Sequence, residues 1–166
     1  EFCIRSMVLL AGRFSGDPVR FFFLFFNKKL VFRPSKINKY LNSWEISEHI
    51  NCVIIEGAGD KSFCAGGDVR QVRDSILVGD SNAAEQFFRG EYLADLAIAE
   101  FDKPIIVLCD GLVMGGGAGL AQHSSHIIMT ETTKFAMPET RIGLFPDVGA
   151  SLFLGRCPIS VARLLG

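Results

Sequence analysis

Two glycine-rich stretches, CAGGDV from Cys64 to Val69 and VMGGGAGL from Val113 to Leu120, hold the main chemical opportunity in this 166-residue sequence. Ordering glycines costs more backbone entropy than ordering other residues, so their clustering needs a reason. The familiar glycine motifs do not supply one. GGGAGL fails the dinucleotide pattern GxGxxG because Leu120 stands at the last glycine position, and GAGDKS lacks the G-K-[ST] of a phosphate-binding loop. The nucleophile elbow GxSxG is absent as well. A strand that runs through glycines into a helix leaves unpaired helical N–H groups exposed where no side chain stands in the way. Two such donors, one from each stretch, can converge on one carbonyl oxygen as an oxyanion hole, worth about 2.7–4 kcal/mol per donor. Close helix–strand packing is the competing explanation for either cluster alone.

Other site chemistries find little support. Cys3, Cys52, Cys64, Cys109 and Cys157 are scattered without a CxxC pair, the pattern of reduced, mostly buried thiols in an intracellular protein. His49, His123 and His126 lack ligand-like spacing, and no metal site is expected. A net charge of −1 gives no basic footprint for nucleic acid. The longest apolar run, PVRFFFLFFNKKLVF, is broken by charge and falls short of the ~20 residues that span a bilayer. No small-x-small cleavage site follows MVLLAG, so neither a membrane partner nor a secretion signal is expected.

The elements that must position the glycines are legible from Asn51 onward. Val53-Ile54-Ile55 reads as a buried strand ending in the Gly57-Ala58-Gly59 turn, and Asp68 as the N-cap of a helix bearing Val69, Val72 and Ile76. Ser81 or Asn82 opens a longer helix to Phe101, with Phe88, Tyr92, Leu96 and Ala84, Phe87, Leu93, Ala97 at helical spacing. Pro104 stops it, and IIVLC, HIIMT and KFAM follow as strands. A short helix after the glycines and two more in ASLFLG and ISVARLLG complete an α/β protein of repeated small units. Residues 1–49 differ in character: eight of the fifteen phenylalanines lie there, without a sustained period of 2 or 3.6.

FCAGGDVR, FFRGEYL, VMGGGAGLA and FAMPETRIGLFPDVGAS together closely resemble the crotonase (enoyl-CoA hydratase/isomerase) superfamily, and within it the 3-hydroxyisobutyryl-CoA hydrolase branch. The resemblance covers about residues 51–157. It implies a ββα spiral fold, here incomplete at both ends, with an atypical segment over 1–49 and a partial acyl-CoA-binding catalytic core over 50–166. It further implies an acyl-CoA thioester as substrate and partner, held at its carbonyl by the N–H groups of Gly67 and Gly116. Coenzyme A belongs to that substrate, and no separate cofactor is implied.

Crotonase-like hydratases use two glutamates, and the resemblance places these at Gly119 and Glu139. Losing the first argues against hydration. Glu139 is then the candidate carboxylate, either attacking the acyl carbon or activating water for it. Asp147 and Glu91 match substrate-contacting carboxylates, Ala65 a backbone contact to adenine, and Asp68 joins these as a substrate-binding candidate. Lys61, Arg70 and Arg73 are candidates for the CoA phosphates. If the carboxylates lie together, repulsion and burial should raise at least one pKa. The expected activity is hydrolysis of a short branched 3-hydroxyacyl-CoA, above all 3-hydroxyisobutyryl-CoA of valine breakdown. The alternatives are a non-catalytic acyl-CoA-binding protein and an enoyl-CoA hydratase or isomerase. The expected location is intracellular, mitochondrial matrix in a eukaryote or cytoplasm in a bacterium, and a homo-oligomer is compatible with the resemblance.

Overall fold

The computed structural model describes residues 4–14, 17–27, 34–58 and 61–166. Its architecture is three successive strand–strand–helix turns. In each, the first strand joins a large sheet and the second joins a small one. The first strands are β3 (Cys52–Ala58), β5 (Ile105–Cys109) and β7 (His126–Met129); the second are β4 (Ser62–Cys64), β6 (Leu112–Met114) and β8 (Lys134–Ala136). Two further strands, β1 (Ile4–Phe14) and β2 (Asp17–Asn27), extend the large sheet to the order β1-β2-β3-β5-β7. β1 and β2 pair antiparallel, while β2, β3, β5 and β7 are all parallel. A parallel strand covered on both faces reads as a continuous apolar run, as IIVLC does. Val53, Ile55, Ile105, Val107 and Cys109 are fully buried.

The helices are α1 (Pro34–Glu45), α2 (Val69–Leu77), α3 (Ser81–Ala99), α4 (Gly116–Gln122), α5 (Ala150–Gly155) and α6 (Ile159–Leu165), with a 3-10 helix over Pro138–Ile142. Ile37, Leu41 and Trp44, at helical spacing on α1, enter the same core as the strands. α1 packs on α3, and Lys103 Nζ donates to the Trp44 and Ser47 carbonyls at 2.6 and 2.7 Å. The chain before Ile50 therefore contributes to the same core as the chain after it. Among the described residues no helix is long and apolar enough to cross a membrane.

The strands and helices expected after Asn51 are all present, with differences of detail. β3 runs on through Gly57 and Ala58, which were expected in the turn that ends it. α3 is capped by Asp80, whose Oδ1 accepts from the Ala83 amide at 3.0 Å, rather than by Ser81 or Asn82. More consequentially, α3 turns Ala84, Glu91, Ala94, Asp95 and Ile98 inward and leaves Tyr92, Leu93 and Leu96 exposed. The apolar stripe read from periodicity thus includes residues that face outward, and two carboxylates take core positions. On α2, Val72 is buried while Ile76 is exposed.

The small sheet sets up the site. β4, β6 and β8 are parallel neighbours in that order, so their C-terminal ends lie along one edge. In α/β sheets that edge is where ligands collect. Gly67 follows β4, Gly116 follows β6, and Glu139 follows β8.

Candidate active site

The two glycine loops touch. A Cβ built on Gly66 would stand 3.4 Å from the Gly116 nitrogen and 3.3 Å from the Met114 carbonyl oxygen. Gly115 holds φ 54°, ψ −125° as the N-cap of α4, a conformation L side chains rarely adopt. Beyond it, Ala118 and Gly119 donate back to the Gly115 carbonyl. Neither Gly67 nor Gly116 lies in a strand ladder, and among the described residues neither amide donates in a turn, loop or cap hydrogen bond. Both are therefore available to a ligand. Side chains there would collide: a Cβ on Gly67 would meet the Phe87 ring at 2.3 Å, and one on Gly116 would meet Glu91 Oε1 at 2.0 Å. The glycine at 116 thus makes room for Glu91 as well as for a ligand.

A cleft of about 160 Å³ gathers the expected residues: Ala65, Gly67, Gly116, Glu91, Glu139 and Asp147 all line it. Asp68 does not line it. Its side chain caps α2 instead, accepting from the Gln71 amide at 3.1 Å. Among the candidate phosphate partners, Lys61, Arg70 and Arg73 are exposed, and Arg73 pairs with neighbouring Asp74 at 2.9 Å, a surface pair of small energetic weight.

Glu139 sits in the first turn of the 3-10 helix, with Pro138 ahead of it, and is 7% exposed. Its Oε2 is buried without a hydrogen-bond partner, while Oε1 lies 2.8 Å from where a Cβ on Gly115 would stand. Burial pushes its carboxyl above the ordinary range and the Asp147 charge adds to this, against the opposing pull of its own backbone amide. Glu91 is more deeply enclosed. Burial first, then the charges of Asp147 and Glu139, raise it to about 7. The repulsion expected among clustered carboxylates is therefore present.

Two residues of the cluster were not foreseen from sequence. Tyr92, though its ring is partly exposed, donates its hydroxyl to Asp147 Oδ2 at 2.9 Å, and partial desolvation, that bond and the Asp147 charge hold its phenol above its usual range. Asp95, one turn beyond Glu91 on α3, is 5% exposed with both carboxyl oxygens unpartnered. Burial, then Glu91 and Asp147, push it up to about 8. The available signal was the i, i+4 spacing of Glu91 and Asp95 in line with Ala84 and Ile98. The carboxyls do not form a metal-ligand set: among the described residues no three such groups are arranged to hold an ion.

The structure also explains the missing glutamate. A Cβ on Gly119 would stand 2.7 Å from Val148 Cβ and 2.9 Å from Asp95 Oδ1. Val148 and Asp95 fill the space that a side chain at 119 needs. Beside the cleft, Asp147 also borders a larger apolar groove of about 680 Å³ formed with Phe88, Tyr92, Leu96, Leu144 and Phe145.

The ββα spiral, with its two glycine loops and a buried glutamate at one edge of the small sheet, is a crotonase fold. The chain belongs to the enoyl-CoA hydratase/isomerase family, whose model matches residues 34–166. It is 51% identical over 118 residues to the mitochondrial 3-hydroxyisobutyryl-CoA hydrolase of Xenopus tropicalis, covering 71% of this chain and 30% of that protein. The Gallus gallus protein of the same name is 46% identical over 130 residues, 78% of this chain and 34% of that one. Small ribosomal subunit protein mS47 of Neurospora crassa is 44% identical over 133 residues, 79% of this chain and 26% of that one. Among solved structures, an enoyl-CoA hydratase from Rhodobacter sphaeroides 2.4.1 superposes with a TM-score of 0.83 at 33% identity, covering 95% of this chain and 48% of that one. The chain spans about a third of the length of the curated hydrolases it matches.

Proposed function

We propose that this chain carries the catalytic core of an acyl-CoA thioester hydrolase acting on a short branched 3-hydroxyacyl group, 3-hydroxyisobutyryl-CoA foremost, in valine breakdown. The observation that carries the reading is that Gly67 and Gly116, whose amides have no backbone partner among the described residues, line one cleft with Glu139 and Asp147. In this reading the thioester oxygen lies between the Gly67 and Gly116 amides, which stabilise it as it gains charge. Glu139 either attacks the acyl carbon or takes a proton from the water that does. Its raised pKa strengthens it as a base near neutrality. The C–S bond then breaks, the thiolate leaves as CoA and takes up a proton, and water supplies the oxygen of the product acid. Glu91 and Asp147 bind the polar end of the acyl group, and the apolar groove its carbon skeleton. The identity to hydrolases named as mitochondrial supports placement in the mitochondrial matrix.

A second reading rests on the identity to mS47: a family member that binds acyl-CoA, or assembles with other chains, without turnover. Free-thiol release from 3-hydroxyisobutyryl-CoA separates the two. The hydrolase reading requires thiol release by the wild-type chain and a fall of about 100-fold or more in Glu139→Ala, with acyl-CoA binding retained. Folded wild-type chain that binds the thioester and releases no thiol supports the second reading.

A further inference from the structure

The turn that carries Asp147 contains a backbone outlier. Val148 holds φ 42°, the one non-glycine in the left-handed region among the described residues, and it is 3% exposed. A β-branched side chain is crowded there, and such a conformation persists only where its surroundings enforce it. The enforcing contacts come from α4. His123, its C-cap, places Nε2 2.9 Å from the Val148 carbonyl oxygen. A carbonyl only accepts, so Nε2 carries the proton. The same imidazole occupies the space beside Gly149, where a Cβ would stand 2.7 Å from both Cε1 and Nε2. One turn earlier on α4, Gly119 leaves the room that the Val148 side chain fills. On the far side of the turn, Tyr92 grips the Asp147 carboxylate.

We infer that His123 is a positioning residue for Asp147: by holding the Val148 carbonyl it locks the strained turn that presents this carboxylate to Tyr92 and to the glycine cleft. α4 then does two things at once. Its first residue, Gly116, supplies an amide to the cleft, and its C-cap, His123, fixes the carboxylate opposite, so donor and carboxylate are held by one helix. The inference rests on the reading that Asp147 faces the acyl-CoA substrate.

The test uses two readouts on the full chain, one of them independent of turnover. With Tyr40→Phe as background, Tyr92 is the sole tyrosine, and its ionisation is followed by absorbance. His123→Ala, shown to be folded by circular dichroism, is expected to lower the Tyr92 midpoint by about one pH unit or more as Asp147 drifts away. His123→Gln, which keeps a donor, is expected to restore part of that shift. An unchanged midpoint in the folded His123→Ala chain overturns the inference. In thiol release, His123→Ala is expected to lower kcat/KM about 10- to 100-fold. In an Asp147→Asn background the same change is expected to cost less than about twofold, since the residue it positions is already gone. Full multiplicative loss in that background also overturns the inference. Absence of thiol release from wild type sinks the hydrolase reading instead, and the Tyr92 titration still decides the role of His123.

Discussion

The α3 carboxyl pair makes the pH dependence of stability a sharp test of the site's electrostatics. Glu91 and Asp95 are 4% and 5% exposed, and after burial itself the charges of neighbouring carboxylates raise both. Their pKa values rise from 4.5 to about 7 and from 3.8 to about 8. A carboxyl raised on folding binds more protons in the native state than in the unfolded one. Its destabilising effect is absent below the unfolded value, grows as pH rises through the window, and is complete above the folded value. For Glu91 alone the rise corresponds to about 3 kcal/mol, at 1.36 kcal/mol per unit. Asp95 adds to this, though less than its separate value because the two titrate together. Urea unfolding of wild type and of the Glu91→Gln/Asp95→Asn chain, from about pH 4 to about pH 9, cancels the other groups. The difference is expected to grow in favour of the double variant by about 3 kcal/mol or more between these limits. Parallel pH profiles for the two chains would refute burial of the pair.

At Gly117 and Gly116 the expected effect of substitution follows from what a Cβ would meet. Gly117→Ala drives its methyl to 2.1 Å from the Cys64 backbone carbonyl, so a stability loss of about 1–3 kcal/mol or more is expected in chemical denaturation. Gly116→Val meets a side chain rather than backbone and is expected to keep a folded chain while displacing Glu91. Thiol release should then fall about 100-fold or more, and a near-normal rate would refute the role of residue 116. Tyr92→Phe removes a side-chain donor to Asp147 and is expected to cost about 1 kcal/mol in acyl-CoA binding, read by calorimetry.

Much of this was legible before the fold. β3, β5, β7 and β8 follow from short apolar runs between turns, α2 and α3 from caps and periodicity, and α4 to α6 were placed as short helices. The glycine loops were legible as strand-to-helix turns; that β4, β6 and β8 bring them to one edge was not. Those strands are three residues each, too short to show a period. α1 was missed although Ile37, Leu41 and Trp44 keep helical spacing, because the phenylalanine runs before it obscured the pattern. On α3, hydrophobicity was a partial guide: of the expected stripe Ala84 is buried and Phe87, Phe88 and Ala97 are partly so. Tyr92, Leu93 and Leu96 are exposed, while Glu91 and Asp95 occupy core positions that a rule of burying apolar residues assigns to something else. Reversal of that rule is itself the mark of a site.

The proposed hydrolysis requires the Gly67 and Gly116 amides to polarise a thioester carbonyl. The direct measurement is infrared difference spectroscopy of 3-hydroxyisobutyryl-CoA, with and without a ¹³C label at the carbonyl, bound to the Glu139→Gln chain. Two donors converging on the oxygen are expected to move the labelled stretch to lower frequency than in water, and Gly116→Val in the same background is expected to abolish that shift. A bound thioester whose carbonyl absorbs at its solution frequency would contradict the account.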